Sequence, residues 1–440
     1  MPRVRLKPHG RHIRDHFGRI RLFRGVNVSG KSKLPPFLPL ETPSQLSPLQ
    51  SFGFNVIRLL VIWEAVAPQR GAIDETYLEK LSAFVEEAER LGIFVLIDMH
   101  QDLFSREHGG DGAPAWAVKH DGKPASGKRW FLHYFRSRAV QKNLARFWAN
   151  EDGVMKAYAD TLRAVVKHFS RHDNVIGYDM FNEPMTRGRE LATGVFERFI
   201  LPEFHALCGK ILHEHDPERM LFIEPTPLAA FGVPTVLRRP KVYTQVFAPH
   251  LYDVTSIGAG RYMKNTSTFP RALSVVRRWA EFNHVPLFIG EFGVLNGVKD
   301  SRTMMEDECR LLDRHFVSWA AWHYNPSTED WNDEDASIVL PGGADREFTP
   351  ALARPYPAAL AGNPVRWESG NGKPWELEYE ARWENQTHTE IRVPSRWGAA
   401  GFEVEVEGGE AEVSDDREWV RIGHDKQRRV RVVLHRSPVQ

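Results

Sequence analysis

With 440 residues, 42% of them hydrophobic and 26% charged, the chain is too long for one ordinary core and suits a large barrel carrying a smaller domain. A net charge of +1 gives no global pull on nucleic acid, and no apolar run approaches the ~20 residues of a membrane span. Two cysteines, Cys208 and Cys309, exclude a disulfide scaffold and make a reduced, cytoplasmic setting the default, with export left open.

The first 33 residues carry about ten Lys or Arg against one acid, Asp15, and lack the uninterrupted apolar core of a signal peptide. They read as a solvated basic hairpin turning near Asp15-His16-Phe17-Gly18 and closing a barrel floor. From Arg19 to about Leu360, apolar runs alternate with amphipathic helical stretches. The runs are IRLFRGVNV (20–28), NVIRLLVIW (55–63), IFVLIDMH (93–100), VIGYDMFNE (175–183), RMLFIEP (219–225), VYTQVFAPHLYD (242–253), PLFIGEFGV (286–294) and VSWAAWHYN (317–325). Eight strands, nearly all followed by helices, predict a (β/α)8 TIM barrel over residues 1–362. The alternative, a doubly wound sheet, would carry a Gly-rich phosphate turn after its first strand, and none is present. Beyond about Asn363, WELEYEAR, TEIRVPS, FEVEVEGG, WVRIG and RRVRVVLHR alternate polar and apolar residues between turns. This pattern predicts a C-terminal antiparallel β-sandwich over 363–440.

A barrel enzyme places its chemistry at the C-terminal ends of its strands. There the sequence reads Asp98-Met99-His100-Gln101-Asp102 on the third run, Asn182-Glu183 on the fourth, His250-Leu251-Tyr252 on the sixth, Glu291 on the seventh and Trp322 on the eighth, with Arg58 inside the second. A carboxylate in an apolar strand costs several kcal/mol unless it is paired or used. Two carboxyls, one amide and aromatic walls suit glycoside hydrolysis, which needs one protonated and one ionised carboxyl. Arg58 would keep one ionised; burial and mutual repulsion would keep the other protonated. A buried salt bridge to Arg58 is the plainer reading of Glu291, as a strand-end ion pair is of Glu183. Neither explains the whole set.

NEP on the fourth strand, HLY on the sixth, GEFG on the seventh and the terminal-strand Trp resemble glycoside hydrolase family 5. That resemblance implies Glu183 as acid/base and Glu291 as nucleophile, Asn182 on the sugar 2-hydroxyl, Tyr252 supporting the nucleophile, and Arg58, His100, His250 and Trp322 completing the sugar subsite. RGVNVSGKSKLPPF, DMHQDLFSR with GDGAPAW, and WHYNPSTEDWNDEDASI resemble the branch holding endoglycoceramidases and glucosylceramide and steryl-glucoside glucosidases. This implies sugar contacts from His100, Asp102 and Lys33, with Lys31 as the alternative that spacing does not separate. It also implies a glycolipid or β-glucoside substrate, no cofactor and no metal.

Two loops, LPPFLPL (34–40) and PLAAFGVP (227–234), are apolar and broken by Pro or Gly. They are expected to expose apolar surface near the site, suiting a lipid aglycone or transient contact with a membrane or micelle. Trp116, Trp130, Phe131, Tyr134 and Phe135 are candidates for a slot wall. The acidic run from Glu329 to Asp335 lacks the Gly-centred spacing of a calcium loop. His213 and His215, two apart on a helix, diverge. Asn385-Gln386-Thr387 is a formal glycosylation sequon. The competing functions are an endo-β-glucanase or mannanase on soluble polysaccharide and a non-catalytic carbohydrate- or lipid-binding protein.

Overall fold

The computed structural model describes residues 4–119, 123–127, 129–328, 331–370, 373–382, 387–424 and 428–437. Asn385 and Gln386 of the sequon and Glu329 and Asp330 of the acidic run lie outside these residues.

Three short antiparallel strands come first: β1 (Leu6–His9), β2 (His12–Asp15) and β3 (Ile20–Arg21). The expected turn at Asp15–Gly18 forms, with the Gly18 N–H donating to the Asp15 carbonyl at 2.8 Å. An earlier turn at Gly10-Arg11 makes the segment a three-stranded meander rather than a single hairpin.

The barrel follows, in β4 (Arg24–Val28), β5 (Val56–Ile62), β6 (Phe94–His100), β7 (Val175–Asp179), β8 (Met220–Ile223), β9 (Gln245–Phe247), β10 (His250–Leu251), β11 (Phe288–Ile289), β12 (Glu291–Phe292) and β13 (Ser318–Tyr324). Each of the eight apolar runs supplies one barrel position; the sixth and seventh are interrupted, near Pro249 and at Gly290. The parallel order is β11-β13-β4-β5-β6-β7-β8-β9. The Phe247–Leu287 bridge and the parallel pair β10–β12 then bring the two ends together. Helices cover the outside. The one over Glu75–Arg90 begins at Asp74, whose side chain accepts from the Tyr77 N–H at 3.0 Å, and buries Leu78, Leu81, Val85 and Ala88 along one face.

The pleat of β5 and β6 explains where the site must lie. Ile57, Leu59, Val61, Val95 and Ile97 join the core beneath the helices, whereas Val56, Phe94 and Leu96 join an interior cluster at the floor. The interior parity then continues upward as Arg58 on β5 and as Asp98 and His100 on β6, all buried. One face of one strand is apolar below and charged above. Leu6 and Ile13 of the meander pack into the same floor cluster as Phe222, Phe288 and Ala320, sealing that end.

The remaining strands are β14 (Tyr356–Leu360), β15 (Gly362–Gly370), β16 (Lys373–Ala381), β17 (Thr389–Arg392), β18 (Phe402–Glu407), β19 (Glu410–Val413), β20 (Trp419–Gly423) and β21 (Arg429–Arg436). They form a four-stranded sheet, β15-β16-β21-β18, and a seven-stranded sheet, β1-β2-β3-β14-β17-β20-β19, into which the N-terminal meander is hydrogen-bonded. Tyr356, Ile391 and Val420 from one sheet meet Trp367, Trp375 and Tyr379 from the other in a shared core. Among the described residues, no helix is long and apolar enough to cross a membrane.

Candidate active site

The upper barrel opens into a cavity of about 320 Å³, and most of the residues singled out from the sequence line it or stand just behind it. Lys33, His100, Asp102, Asn182, Glu183 and Glu291 form its polar part. Lys31 is exposed and outside the lining; Lys33 is 3% exposed and inside it.

Glu291 opens β12 and pairs in register with His250 on β10. Its Oε1 accepts from Arg58 Nη1 at 2.9 Å, and its Oε2 accepts from the Tyr252 hydroxyl at 2.8 Å. Glu183 sits four residues beyond β7 at φ 46, a left-handed conformation that costs a residue with a Cβ about 1 kcal/mol or more. Its N–H donates to Glu224 Oε2 at 3.1 Å, and its Oε1 lies 2.9 Å from His250 Nδ1. Oxygens of Glu183 and Glu291 and a nitrogen of His250 all lie within 4.8 Å of one another. A Cβ at Gly290 would stand 2.9 Å from His250 Nε2, so the glycine makes room for the imidazole.

Arg58 ties the strands together. It is fully buried, and its guanidinium reaches Asp98 Oδ2 at 3.0 Å, Asp179 Oδ2 at 3.0 Å, Glu224 Oε1 at 3.2 Å and Glu291 Oε1 at 2.9 Å. It also donates to Asn182 Oδ1 at 2.8 Å and Asn27 Oδ1 at 3.0 Å. Burial works against its charge, but this ring of acids holds the guanidinium firmly protonated. Asn182 in turn donates from Nδ2 to the Gln101 carbonyl at 3.1 Å, which fixes its amide.

A second polar group lies on the β6 side. His100 has Nδ1 at 2.7 Å from Asp98 Oδ2 and stacks on Trp322 with ring centroids 5.5 Å apart. Burial disfavours its charge, yet Asp98 and the hydrogen bonds to Asp102 and Asp98 prevail and lift its pKa to about 10. Lys33 Nζ donates to Asp102 Oδ2 at 2.7 Å, lies 3.6 Å from Glu334 and sits 3.7 Å from the centroid of Trp331. Behind them Asp111 is fully buried with neither carboxyl oxygen hydrogen-bonded; burial and the charge of Asp102 push its pKa up to about 8.

Three sets of acids and histidines could in principle hold a metal: His100, Asp102 and Asp111; Asp179, Glu224 and His250; and Glu183, His250 and Glu291. The protein's own cations already answer them, Lys33 at the first and Arg58 at the other two.

The outer cavity is apolar. Phe131, Phe135, Pro227, Ala230, Phe231 and Ile257 line it, and Phe131, Phe135 and Phe231 remain 39%, 46% and 41% exposed. The 227–234 loop therefore reaches the site. The 34–40 loop does not line it; Phe37 and Leu38 instead pack on the barrel core. Trp116, proposed as a slot wall, packs edge-on against Trp63 away from the cavity, whereas Trp130, Phe131, Tyr134 and Phe135 do line it.

Sequence reasoning gave no site role to Asp179, Glu224 or Asp111, and weighed Glu334 only as part of the acidic run. Glu224 carried a usable signal, since FIEP ends its strand on an acid just as FNEP does. Asp111 lies inside the GDGAPAW stretch that carries the resemblance, but a Gly-flanked Asp reads as a surface turn and drew no role of its own.

The chain matches the family described as Cellulase (glycosyl hydrolase family 5) over residues 23–328 and the glycoside hydrolase family 5 C-terminal domain over 354–434. It is 28% identical to endoglycoceramidase I of Rhodococcus hoagii over 459 aligned positions, covering 99% of this chain and 89% of that protein. A shorter stretch is 37% identical to a glucosylceramidase of Rhizopus delemar, over 26% of this chain and 21% of that one. Endo-glycoceramidase II from Rhodococcus sp., solved with the ganglioside GM3, superposes with a TM-score of 0.84 at 25% identity, covering 98% of this chain and 100% of that one. The same protein solved as a lactosyl-enzyme intermediate superposes with a TM-score of 0.82 at 25% identity, over 97% and 99% of the two chains. With the catalytic-domain family matching most of its length and the C-terminal family most of the remainder, this chain belongs to glycoside hydrolase family 5.

Proposed function

We propose that the protein is a retaining β-glycosidase. It hydrolyses the β-glycosidic bond between glucose, or a glucose-linked glycan, and a lipid aglycone such as ceramide or sterol. The observation that carries this reading is the pair Glu183 and Glu291, with oxygens within 4.8 Å, at the polar end of a cavity whose outer wall is apolar. Oxygens that approach this closely favour the short carboxyl spacing of a retaining pair over the gap of about 6.5 Å or more that an inverting mechanism uses to seat its water.

In the first step Glu291 attacks the anomeric carbon. The bond to the aglycone oxygen breaks, and Glu183 delivers its proton to that oxygen. In the second step Glu183 takes a proton from water, whose oxygen displaces Glu291 from the anomeric carbon and frees the sugar. Arg58 and Tyr252 aim the two oxygens of Glu291, and Asn182 stands beside them to bind the 2-hydroxyl. Lys33, His100 and Asp102 form the polar wall for the remaining hydroxyls, with Trp322 as the stacking face. Endoglycoceramidases and glucosylceramidases among the relatives support a glycolipid substrate, and the lactosyl-enzyme intermediate of the Rhodococcus enzyme supports a covalent route.

The exposed rim of Phe131, Phe135 and Phe231 suits transient contact with a micelle or membrane surface. The buried free thiols Cys208 and Cys309 suit a reducing, cytoplasmic compartment. The test is mass spectrometry of products from glucosylceramide and a longer glycosylceramide in mild detergent. Glucose from the first alone marks a glucosylceramidase, and intact oligosaccharide from the second marks an endoglycoceramidase. Cleavage of soluble glucan with neither lipid touched would overturn the lipid reading.

A further inference from the structure

Glu224, just beyond β8, is 2% exposed and does not line the cavity, yet it touches the groups that hold both reacting carboxyls. Its Oε2 accepts the Glu183 N–H at 3.1 Å, at the residue with φ 46. Its Oε1 accepts from Arg58 Nη2 at 3.2 Å and lies 3.3 Å from His250 Nε2. The other edge of the same imidazole faces the reaction, with Nδ1 at 2.9 Å from Glu183 Oε1 and 3.4 Å from Glu291 Oε2. Asp179 on β7 stands against Glu224, and oxygens of both lie within 4.8 Å of a His250 nitrogen.

We propose that Glu224 is a positioning residue for the reaction, clamping the left-handed backbone of Glu183 and, through His250, linking a proton shared with Asp179 to the reacting pair. This rests on the assignment of Glu183 and Glu291 above. The charges around the group support it. Arg58, His100 and His250 face Asp98, Asp179, Glu224 and Glu291, with Asp102 and its partner Lys33 beyond His100 and Glu183 at His250 Nδ1. Acids outnumber cations here, and one proton kept between Asp179 and Glu224 reduces that excess. Burial pushes the carboxyls of Glu224 and Asp179 upward, and the charge of Asp179 adds to the effect on Glu224. Burial opposes a charge on His250, but Glu224 and Glu291 outweigh it and raise its pKa well above the usual imidazole range.

The consequence for turnover is direct. When Glu183 gives its proton to the leaving oxygen, a new carboxylate appears 2.9 Å from His250 Nδ1. A charged imidazole stabilises it there, and Glu224 on the far edge keeps that imidazole charged and oriented. A Gln in place of Glu224 retains an oxygen to accept the Glu183 N–H but removes the charge. His250 then loses its proton at lower pH.

The experiment compares wild type with Glu224→Gln on a soluble aryl β-glucoside across pH, alongside labelling by a 2-deoxy-2-fluoroglucosyl inactivator and thermal melting. The expected result has four parts: kcat down about tenfold, KM within about threefold, the alkaline limb of the pH profile moved down by about 0.5 unit or more, and melting near wild type. Glu224→Ala, which also removes the acceptor for the Glu183 N–H, is expected to lose more. A pH profile superimposable on wild type, or a loss of kcat matched by the loss of folded protein, would overturn the inference. Wild-type enzyme that carries no label on Glu291 would instead overturn the assignment of the reacting pair, and the inference with it.

Discussion

The two ends of the barrel use the same strands for opposite purposes. At the floor, Val56, Phe94, Phe222 and Phe288 meet Leu6 and Ile13 in an apolar plug, with Phe222 and Phe288 packed edge to face at 5.4 Å. A few residues higher on the same strands, Arg58 faces four carboxylates, His100 is held charged between acids, and Glu183 adopts a backbone angle that glycine prefers. Burial is nearly complete at both ends. What differs is whether the buried groups satisfy themselves or wait for a ligand. The floor supplies stability, which the top draws on to hold charges and strain in place.

The sharpest break of this contrast is Glu291→Gln. It should cost about 10⁴-fold or more in kcat while leaving urea unfolding close to wild type, because a neutral amide relieves the crowding of acids on Arg58. Arg58→Met should blur the contrast by damaging both properties. Four carboxylates would lose their cation, destabilising the fold by about 3–5 kcal/mol, and activity should vanish with it. At the other end, Phe222→Ala should cost about 3–5 kcal/mol in urea unfolding, with kcat and KM of the folded enzyme unchanged. A measurable change in KM there would deny the independence of the two ends.

Smaller effects sharpen the picture at the rim and behind the site. Phe231→Ser should raise KM for detergent-dispersed glucosylceramide about fivefold and leave a soluble aryl glucoside unaffected; equal effects on both would place this ring on the sugar side. Asp111→Asn tests the cost of an unpartnered buried acid. Its folded pKa is raised from 3.8 to about 8, so the folded state holds that proton more tightly than the unfolded chain does. The wild type therefore loses stability as pH climbs through that window, and the Asn variant does not. The melting advantage of Asp111→Asn should be absent near pH 4 and grow towards pH 8.

Much of this was open to reading in the sequence. Eight apolar runs in the expected order predicted the barrel, because a strand buried on both faces cannot hide its composition. Glu183 and Glu291 stood out because carboxylates at the ends of such runs are expensive. The same logic applied to Glu224 at the end of FIEP would have found it, whereas Asp179, inside VIGYDM, is indistinguishable from a paired core acid until Arg58 is seen beside it. The N-terminal segment read as a hairpin closing the barrel floor, and Leu6 and Ile13 do pack there. What local pattern does not encode is that it also supplies three strands of a sheet shared with β14, β17, β20 and β19, a pairing across more than 300 residues.

By itself, then, the sequence determined the order of the strands, the burial of their faces and which residue types reach the barrel mouth, since these follow from local period and from the cost of burying charge. Tertiary structure alone decided which groups meet. It placed Lys33 rather than Lys31 on Asp102, turned the 227–234 loop into the cavity and the 34–40 loop away from it, and set His250 between Glu224 and the two glutamates. Contacts of that kind depend on barrel closure and on loop paths between distant strands, and no local rule of spacing carries them.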